Sequence, residues 1–384
     1  MATNSMQKAD IWLGITVFGL TIFGIIMIFS ASVITGHIFF HDDFYFLKRQ
    51  LIWAILGGVG VIVMANIDYH FWKQWAGWML GITLLLLASV FLFKTQEING
   101  AHRWIILFGQ SFQPSELAKL TFIIYLSAWL VERKQEVGNI VHSFLPYLGV
   151  LLLISILMLK QPDFGTLTII LVPAMAIYFV AGLTWKQIVL GVGILILGIA
   201  LSFTSQYRRD RLNTFLHPTN DVSGTSYHTK EIAIAIGSGG WRGLGFNESK
   251  QKRLFLPEPY TDSIFAIITE ELGYFWSEVL ILIYCFLLYR GYLISVRSSD
   301  LFGKLLAVGI TSWFGFQAFI NLGSMVRLVP LVGVPLPFVS FGGTNLVISL
   351  LAVGLLLNIS RHGMVNESVP RKATKPKSGH DKSS

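Results

Sequence analysis

The chain has 384 residues, 53% of them hydrophobic and 13% charged, with 36 glycines and a mean hydropathy of +0.63. Soluble globular domains carry roughly 25% charged residues, so this composition excludes one and describes a chain whose solvent is largely lipid. A single cysteine, Cys285, excludes an intramolecular disulfide and a cysteine metal cluster; the net charge of +8 comes without a basic, aromatic-interleaved soluble module, so anionic lipid is the expected partner and nucleic acid is not.

In chain order, ten apolar stretches occupy 11–33, 51–66, 75–93, 117–131, 143–159, 166–182, 186–204, 263–289, 301–325 and 340–360. At about 20 residues per span these predict an all-α fold, a polytopic membrane protein with about ten transmembrane helices and one long extracytoplasmic loop. The first stretch is long and has no small-residue cleavage site, so it reads as a retained signal anchor. The stretches at 51 and 166 are short and contain Gly or Pro, yet in a bilayer they must still be helical, because every backbone group there needs an internal partner. Ten spans put both termini on one side. The short loops carry Lys and Arg almost evenly, but the polar tail with Arg371, Lys372, Lys375, Lys377 and Lys382 has no reason to cross. The expected organisation is a cytoplasmic N-terminus over 1–10, a membrane domain over 11–360 with a large outer loop at 205–262, and a basic, disordered cytoplasmic tail over 361–384 against anionic lipid. No internal repeat suggests the inverted halves of many transporters.

Several segments could carry chemistry. Asn99-Gly-Ala-His-Arg103-Trp104 precedes Gln113-Pro-Ser-Glu116-Leu-Ala-Lys119, where Pro114 suits a helix start and Glu116 and Lys119 share a face. They form either an internal salt pair or, with Arg103, a phosphate-binding group in which Glu116 orients Lys119. Lys160-Gln-Pro-Asp163-Phe-Gly165-Thr166 is a tight outer turn, and its aspartate reads first as a turn residue. Gly237-Ser-Gly239-Gly240-Trp-Arg242-Gly243-Leu-Gly245 lacks the strand and spacing of a nucleotide-binding loop and reads as a flexible or re-entrant turn. In Leu256-Pro-Glu-Pro-Tyr-Thr-Asp262-Ser, two prolines end the loop and Asp262 opens a helix, as an N-cap, a general base or a cation ligand. Glu270 and Glu271 follow about 12 Å deeper at ~1.5 Å per residue, either paired with an interior Arg or Lys or functional. Val334-Pro335-Leu-Pro337-Phe-Val-Ser340-Phe-Gly342-Gly343-Thr344 describes a broken backbone at a helix start, either a kink or free N–H groups for an anion. The nine histidines show no metal-ligand spacing.

Together these segments resemble the SEDS family of bacterial wall polymerases, the group of FtsW, RodA and SpoVE. The resemblance runs from Ser30-Ala-Ser32 through Phe46-Leu-Lys-Arg49-Gln50 to Pro335-Leu-Pro-Phe-Val-Ser340-Phe-Gly-Gly-Thr344, omits only the ends, and rests on separated motifs in one order. It implies a ten-helix peptidoglycan glycosyltransferase that polymerises lipid II at the outer face of the cytoplasmic membrane and releases undecaprenyl pyrophosphate. It also implies a class B penicillin-binding protein as partner, among other divisome or elongasome membrane proteins. Position by position, Asp262 matches the family's essential aspartate; Arg103, Trp104, Glu116 and Lys119 match its outer-cavity residues; Asp163 matches the Gln-Pro-Asp-x-Gly-Thr turn; and Ser340 falls in the Pro-x-x-Ser-x-Gly-Gly motif. This chain departs from the pattern at three places. Tyr260-Thr-Asp-Ser263 replaces the commoner His-Thr-Asp-Phe, His228 stands where division-type members often carry Gln, and Arg327 lies in a segment usually apolar or small. Tyr207-Arg-Arg-Asp-Arg-Leu212 and Ser249-Lys-Gln-Lys252 lean towards FtsW and septal synthesis, with an elongation-type polymerase, a lipid II flippase and a non-catalytic scaffold as alternatives.

The expected chemistry explains the residue types. Joining two lipid-linked disaccharides by inverting displacement needs a base for the acceptor hydroxyl and positive charge for the departing pyrophosphate. Asp262 is the expected base, or the ligand of a Mg or Mn ion, and Arg103 and Lys119 are the expected clamps.

Overall fold

The computed structural model describes residues 8–92, 103–107, 110–191, 193 and 225–363. The first part of the expected outer loop, most of the stretch at 186–204, residues 99–102 and the tail from 364 lie outside them. The helices are α1 (Ile11–Phe40), α2 (Tyr45–Asn66), α3 (Tyr69–Ser89), α4 (Pro114–Glu132), α5 (Leu145–Lys160), α6 (Phe164–Gly182), α7 (Thr225–Gly239), α8 (Ile264–Arg297), α9 (Leu301–Met325) and α10 (Gly343–Arg361). A small antiparallel pair, β1 (Ile105–Leu107) and β2 (Gln110–Phe112), precedes α4, with Ile105 opposite Phe112.

Among the described residues, seven helices are long and apolar enough to cross a membrane, the one ending in α5 counted from Ile140. The first two turns of α3 and α4 carry His70, Lys73 and Gln74, and Glu116 and Lys119, which lowers their hydropathy, and these two fall outside that set. The backbone of α2 packs along α10, α8 along α9, α9 along α6, and α3 along α4. The α10 helix is central and α2 peripheral: 72% of the apolar window is buried in the first and 17% in the second. Ile55, Ile62, Trp78 and Leu85 on α2 and α3 point outward, as expected of side chains whose neighbours are lipid tails. At one end of the bundle the Asp10 N–H donates to Ser360 Oγ, and Arg290 forks onto the Asp10 carboxylate, so the two ends of the described chain lie together.

Aspartates start four of these helices. Asp10, Asp68, Asp163 and Asp300 each accept a hydrogen bond from a backbone N–H of the turn they cap, satisfying donors that a helix start leaves free. The α8 helix is different. Its N-cap is Ser263, with no side-chain capping bond, so the N-cap reading of Asp262 does not hold.

The α8 helix is also broken. Gly273 has φ 86° and ψ 176°, and the freed backbone groups are met by the segment after α7. Leu244 N–H donates to Glu270 O at 2.9 Å, Gly245 N–H to Glu271 O at 3.0 Å, and Tyr274 N–H to Gly240 O at 3.0 Å. The approach is so close that a Cβ on Gly273 would lie 2.4 Å from Gly243 N, and one on Gly243 would lie 2.2 Å from Glu271 O. The glycine run after Ser238 is therefore a backbone plug for a helix break. Glu270 and Glu271 hold the same segment. Glu271 accepts from Ser30 Oγ, from Lys252 Nζ at 2.8 Å and from Asn247 N–H at 3.1 Å; Glu270 accepts from Ser249 Oγ and Lys250 N–H. The cation beside the pair, Lys252, comes from the loop.

Candidate active site

At the end of the bundle away from Asp10 and Ser360, the starts of α4, α6, α8 and α10 surround a cavity of about 420 Å³. Arg103, Trp104, Glu116, Lys119, Asp163 and Asp262 all line it. Six residues spread over 160 positions of sequence thus meet at one place.

Asp262 is placed by its backbone. Asn321 Nδ2 on α9 donates to Asp262 O and to Val334 O, both at 2.8 Å, tying the start of α8 to the loop before α10. Thr261 Oγ1 and Ser263 Oγ donate to Asp262 Oδ1 at 3.3 and 3.4 Å, long enough to be weak. Across the cavity edge, Gly333 has φ 71°, and a Cβ there would sit 3.6 Å from Asp262 Oδ2.

Asp163 is the opposite case. It caps α6, accepts from Thr166 Oγ1 at 2.9 Å, Ser115 Oγ at 2.6 Å and Gln113 Nε2 at 3.0 Å, and is buried. It locks the start of α4 to the start of α6, which makes the turn-residue reading the structural one. Arg103 lies 3.8 Å from it and donates to the Gln161 and Pro162 carbonyls, so its guanidinium is held on the wall. Lys119 is buried: its ammonium lies 2.6 Å from Glu116, donates to Gln317 Oε1 at 3.1 Å, and stands 4.8 Å over the Trp313 ring. The expected internal salt pair is present, and it is part of the cavity wall.

Ser340 stands apart from the other expected site residues. Expected to contact substrate, it is 1% exposed, and its Oγ accepts the Leu336 N–H at 2.8 Å. It folds the proline-glycine loop back on itself, so its hydroxyl faces protein. Beyond it Phe341 N–H donates to Tyr260 O at 2.8 Å, and Tyr284 OH donates to Pro337 O.

Two groups escaped the sequence reading. Arg49 lines the cavity with its guanidinium 4.7 Å above the Tyr45 ring. Trp313, Gln317 and Asn321 form a polar ladder on α9. Trp313 Nε1 donates to Gln317 Oε1 at 2.6 Å, and Gln317 Nε2 donates to Pro335 O at 2.8 Å. Their spacing of i, i+4 and i+8 inside an apolar helix was the available signal, because a helix stacks such positions on one face.

Among the described residues no group of three or more His, Cys, Asp or Glu side chains could hold a metal. Asp262 and Glu258, both on the cavity wall and both reached by Thr261 Oγ1, offer two carboxylates. That donor set fits Mg²⁺ or Mn²⁺ held jointly with waters and a substrate phosphate, and does not fit a protein cage. Chemically, the cavity sets a carboxylate against Arg49 and Arg103, an arrangement for accepting a proton beside a bound anion.

Comparison with known proteins points the same way. A family model described as a cell cycle protein and named for FtsW, RodA and SpoVE matches residues 11–364. The chain is 40% identical over 359 residues to a probable peptidoglycan glycosyltransferase FtsW of Trichlorobacter lovleyi, covering 92% of this chain and 94% of the relative. It is 36% identical over 363 residues to the stage V sporulation protein E of Bacillus subtilis, covering 94% and 99%. A chain from a peptidoglycan synthase complex that coordinates polymerization and crosslinking superposes with a TM-score of 0.77 at 28% identity, covering 92% and 98%. The rod shape determining protein RodA of Thermus thermophilus superposes at 0.67 with 27% identity, covering 93% and 98%.

Proposed function

The chain belongs to the FtsW, RodA and SpoVE family, and on that premise we propose that it is a peptidoglycan glycosyltransferase that polymerises lipid II in the cavity around Asp262. The observation that carries this reading is that Asp262 shares one cavity with Arg49 and Arg103 at one end of a membrane bundle. In the reaction the acceptor hydroxyl oxygen bonds the donor's anomeric carbon while its proton passes to Asp262. The bond from that carbon to the phosphate oxygen breaks, and its electron pair leaves on undecaprenyl pyrophosphate. Lys119 is neutralised at close range by Glu116, so Arg103 and Arg49 carry the pyrophosphate contact, and Lys119 with Glu116 keeps the wall in shape. A divalent cation bound by Asp262 and Glu258 would supply further charge for the leaving group.

The protein sits in the inner membrane with both termini in the cytoplasm, which puts the cavity at the outer face, where the polyprenyl tail stays in the bilayer and the sugar enters. Its partner is a class B penicillin-binding protein, supported by the likeness to a chain of a synthase complex, and septal synthesis is its place, supported by the FtsW relatives. A flippase would need polar groups along the whole depth. The deep ionic cluster of Glu271 and Lys252 is instead closed on itself by Ser30 and Asn247. The test is glycan polymerisation from purified lipid II by the protein with its class B partner, wild type against Asp262→Ala, with and without a chelator. Polymer from the wild type alone supports the reading. No polymer from either, with lipid II crossing vesicle membranes, would favour transport.

A further inference from the structure

We propose that His228 and Ser263 form a positioning relay that aims the Asp262 carboxylate and makes α7 part of the active site; this rests on the reading of Asp262 as the base. Ser263 is fully buried and occupies the N-cap of α8, where a serine hydroxyl ordinarily bonds a backbone N–H of the first turn. Here it makes no capping bond. Its Oγ lies 2.8 Å from His228 Nε2 and 3.4 Å from Asp262 Oδ1. Diverting an N-cap hydroxyl from its helix sacrifices stability, and what replaces the cap is a chain of three side chains ending on the carboxylate.

The chain has a direction. A serine hydroxyl has one proton to give. When His228 Nε2 carries hydrogen, it donates to Ser263 Oγ and the serine proton is free to point at Asp262 Oδ1. When Nε2 is bare, Ser263 donates to the ring and Asp262 loses that bond. The helix that carries His228 is itself held, because α7 packs on α8 and Arg327 Nη2 of the turn after α9 donates to Thr229 O at 3.4 Å. Asn321 fixes the Asp262 backbone from the other side. Ser263 then acts beside Thr261 on the same carboxylate oxygen, and the hydrogen on Ser263 is directed by His228. Neither residue lines the cavity, so both act through Asp262.

The experiment has two arms on the full-length protein. In the first, polymerisation of lipid II is measured for His228→Ala, Ser263→Ala and the double variant, with His228→Gln and Ser263→Thr as conservative partners. Each alanine variant is expected to lower kcat by about 10-fold with little change in KM, and the double variant to be no worse than either, because both break one chain. His228→Gln restores a donor and Ser263→Thr a hydroxyl, and each is expected to recover most of the loss, which a merely structural role would not reproduce at equal thermal stability. In the second arm, nitrogen chemical shifts of His228 in labelled protein report the Nε2 hydrogen and are expected to change in Ser263→Ala. Full activity in both alanine variants, or His228 shifts identical with and without the Ser263 hydroxyl, overturns the relay. An inactive wild type whose His228 shifts still respond to Ser263→Ala supports the relay and counts against the polymerase reading alone.

Discussion

Asp163 and Asp262 line the same cavity, each directly before or at a helix start, and each follows a proline-containing turn. Asp163 spends its oxygens on Thr166, Ser115 and Gln113. Asp262 lies one residue before the N-cap of its helix, accepts long bonds from Thr261 and Ser263 on its carboxylate, and accepts a good one from Asn321 on its carbonyl. One carboxylate builds the cavity and the other is kept for use within it. The difference lies in what surrounds each residue, which local sequence does not reveal.

The comparison predicts a graded series. Asp262→Asn is expected to lower polymerisation by about 10²- to 10⁴-fold, the range of a lost general base, at unchanged thermal stability. Lys252→Ala is expected to act the other way round. It leaves Glu271 buried without its cation and costs about 3–5 kcal/mol, read as a lower unfolding temperature, because an uncompensated buried charge is costly. Asp163→Ala falls between them: loss of a cap and of partners for Ser115 and Gln113 costs about 1–3 kcal/mol, and activity declines with the folded fraction. The smallest effect belongs to Asp42 in the turn between α1 and α2, whose pKa is lowered by hydrogen bonds from Lys48 and the Phe44 N–H. A carboxyl with a depressed folded pKa adds stability above its unfolded value, about 3.9, and loses it as pH falls through the folded one. Lys48→Ala is expected to lower the unfolding temperature slightly at pH 7 and to leave it unchanged at pH values below the folded pKa, so that the acid-side step flattens.

Much of the architecture was legible because lipid imposes it. Apolar runs mark the spans, and Pro114, Asp163 and the prolines before Asp262 mark where helices begin. Boundaries were less so: α1 continues to Phe40 and α2 starts at Tyr45, since a helix goes on beyond the hydrocarbon wherever side chains such as Phe40 and Tyr45 stack on one another. Motif resemblance gathered six cavity residues. It did not show that Ser340 turns its hydroxyl to the Leu336 N–H, because a motif records that a serine is present and not which way its hydroxyl points. The glycine run after Ser238 suggested a re-entrant turn, but its mate, the break at Gly273, is an ordinary glycine in an apolar helix until the two backbones meet. His228 and Ser263 stood as two separate departures from the family pattern, 35 residues apart; only the fold makes them one contact.

The most direct measurement is the rate of glycan synthesis from lipid II per mole of folded, partner-bound protein, taken side by side for wild type, Asp262→Asn and Asp163→Asn. The account predicts that Asp262→Asn folds and binds its partner yet polymerises at least about 100-fold more slowly, while Asp163→Asn retains a rate in proportion to its folded fraction. Polymerisation by Asp262→Asn at the wild-type rate would contradict it.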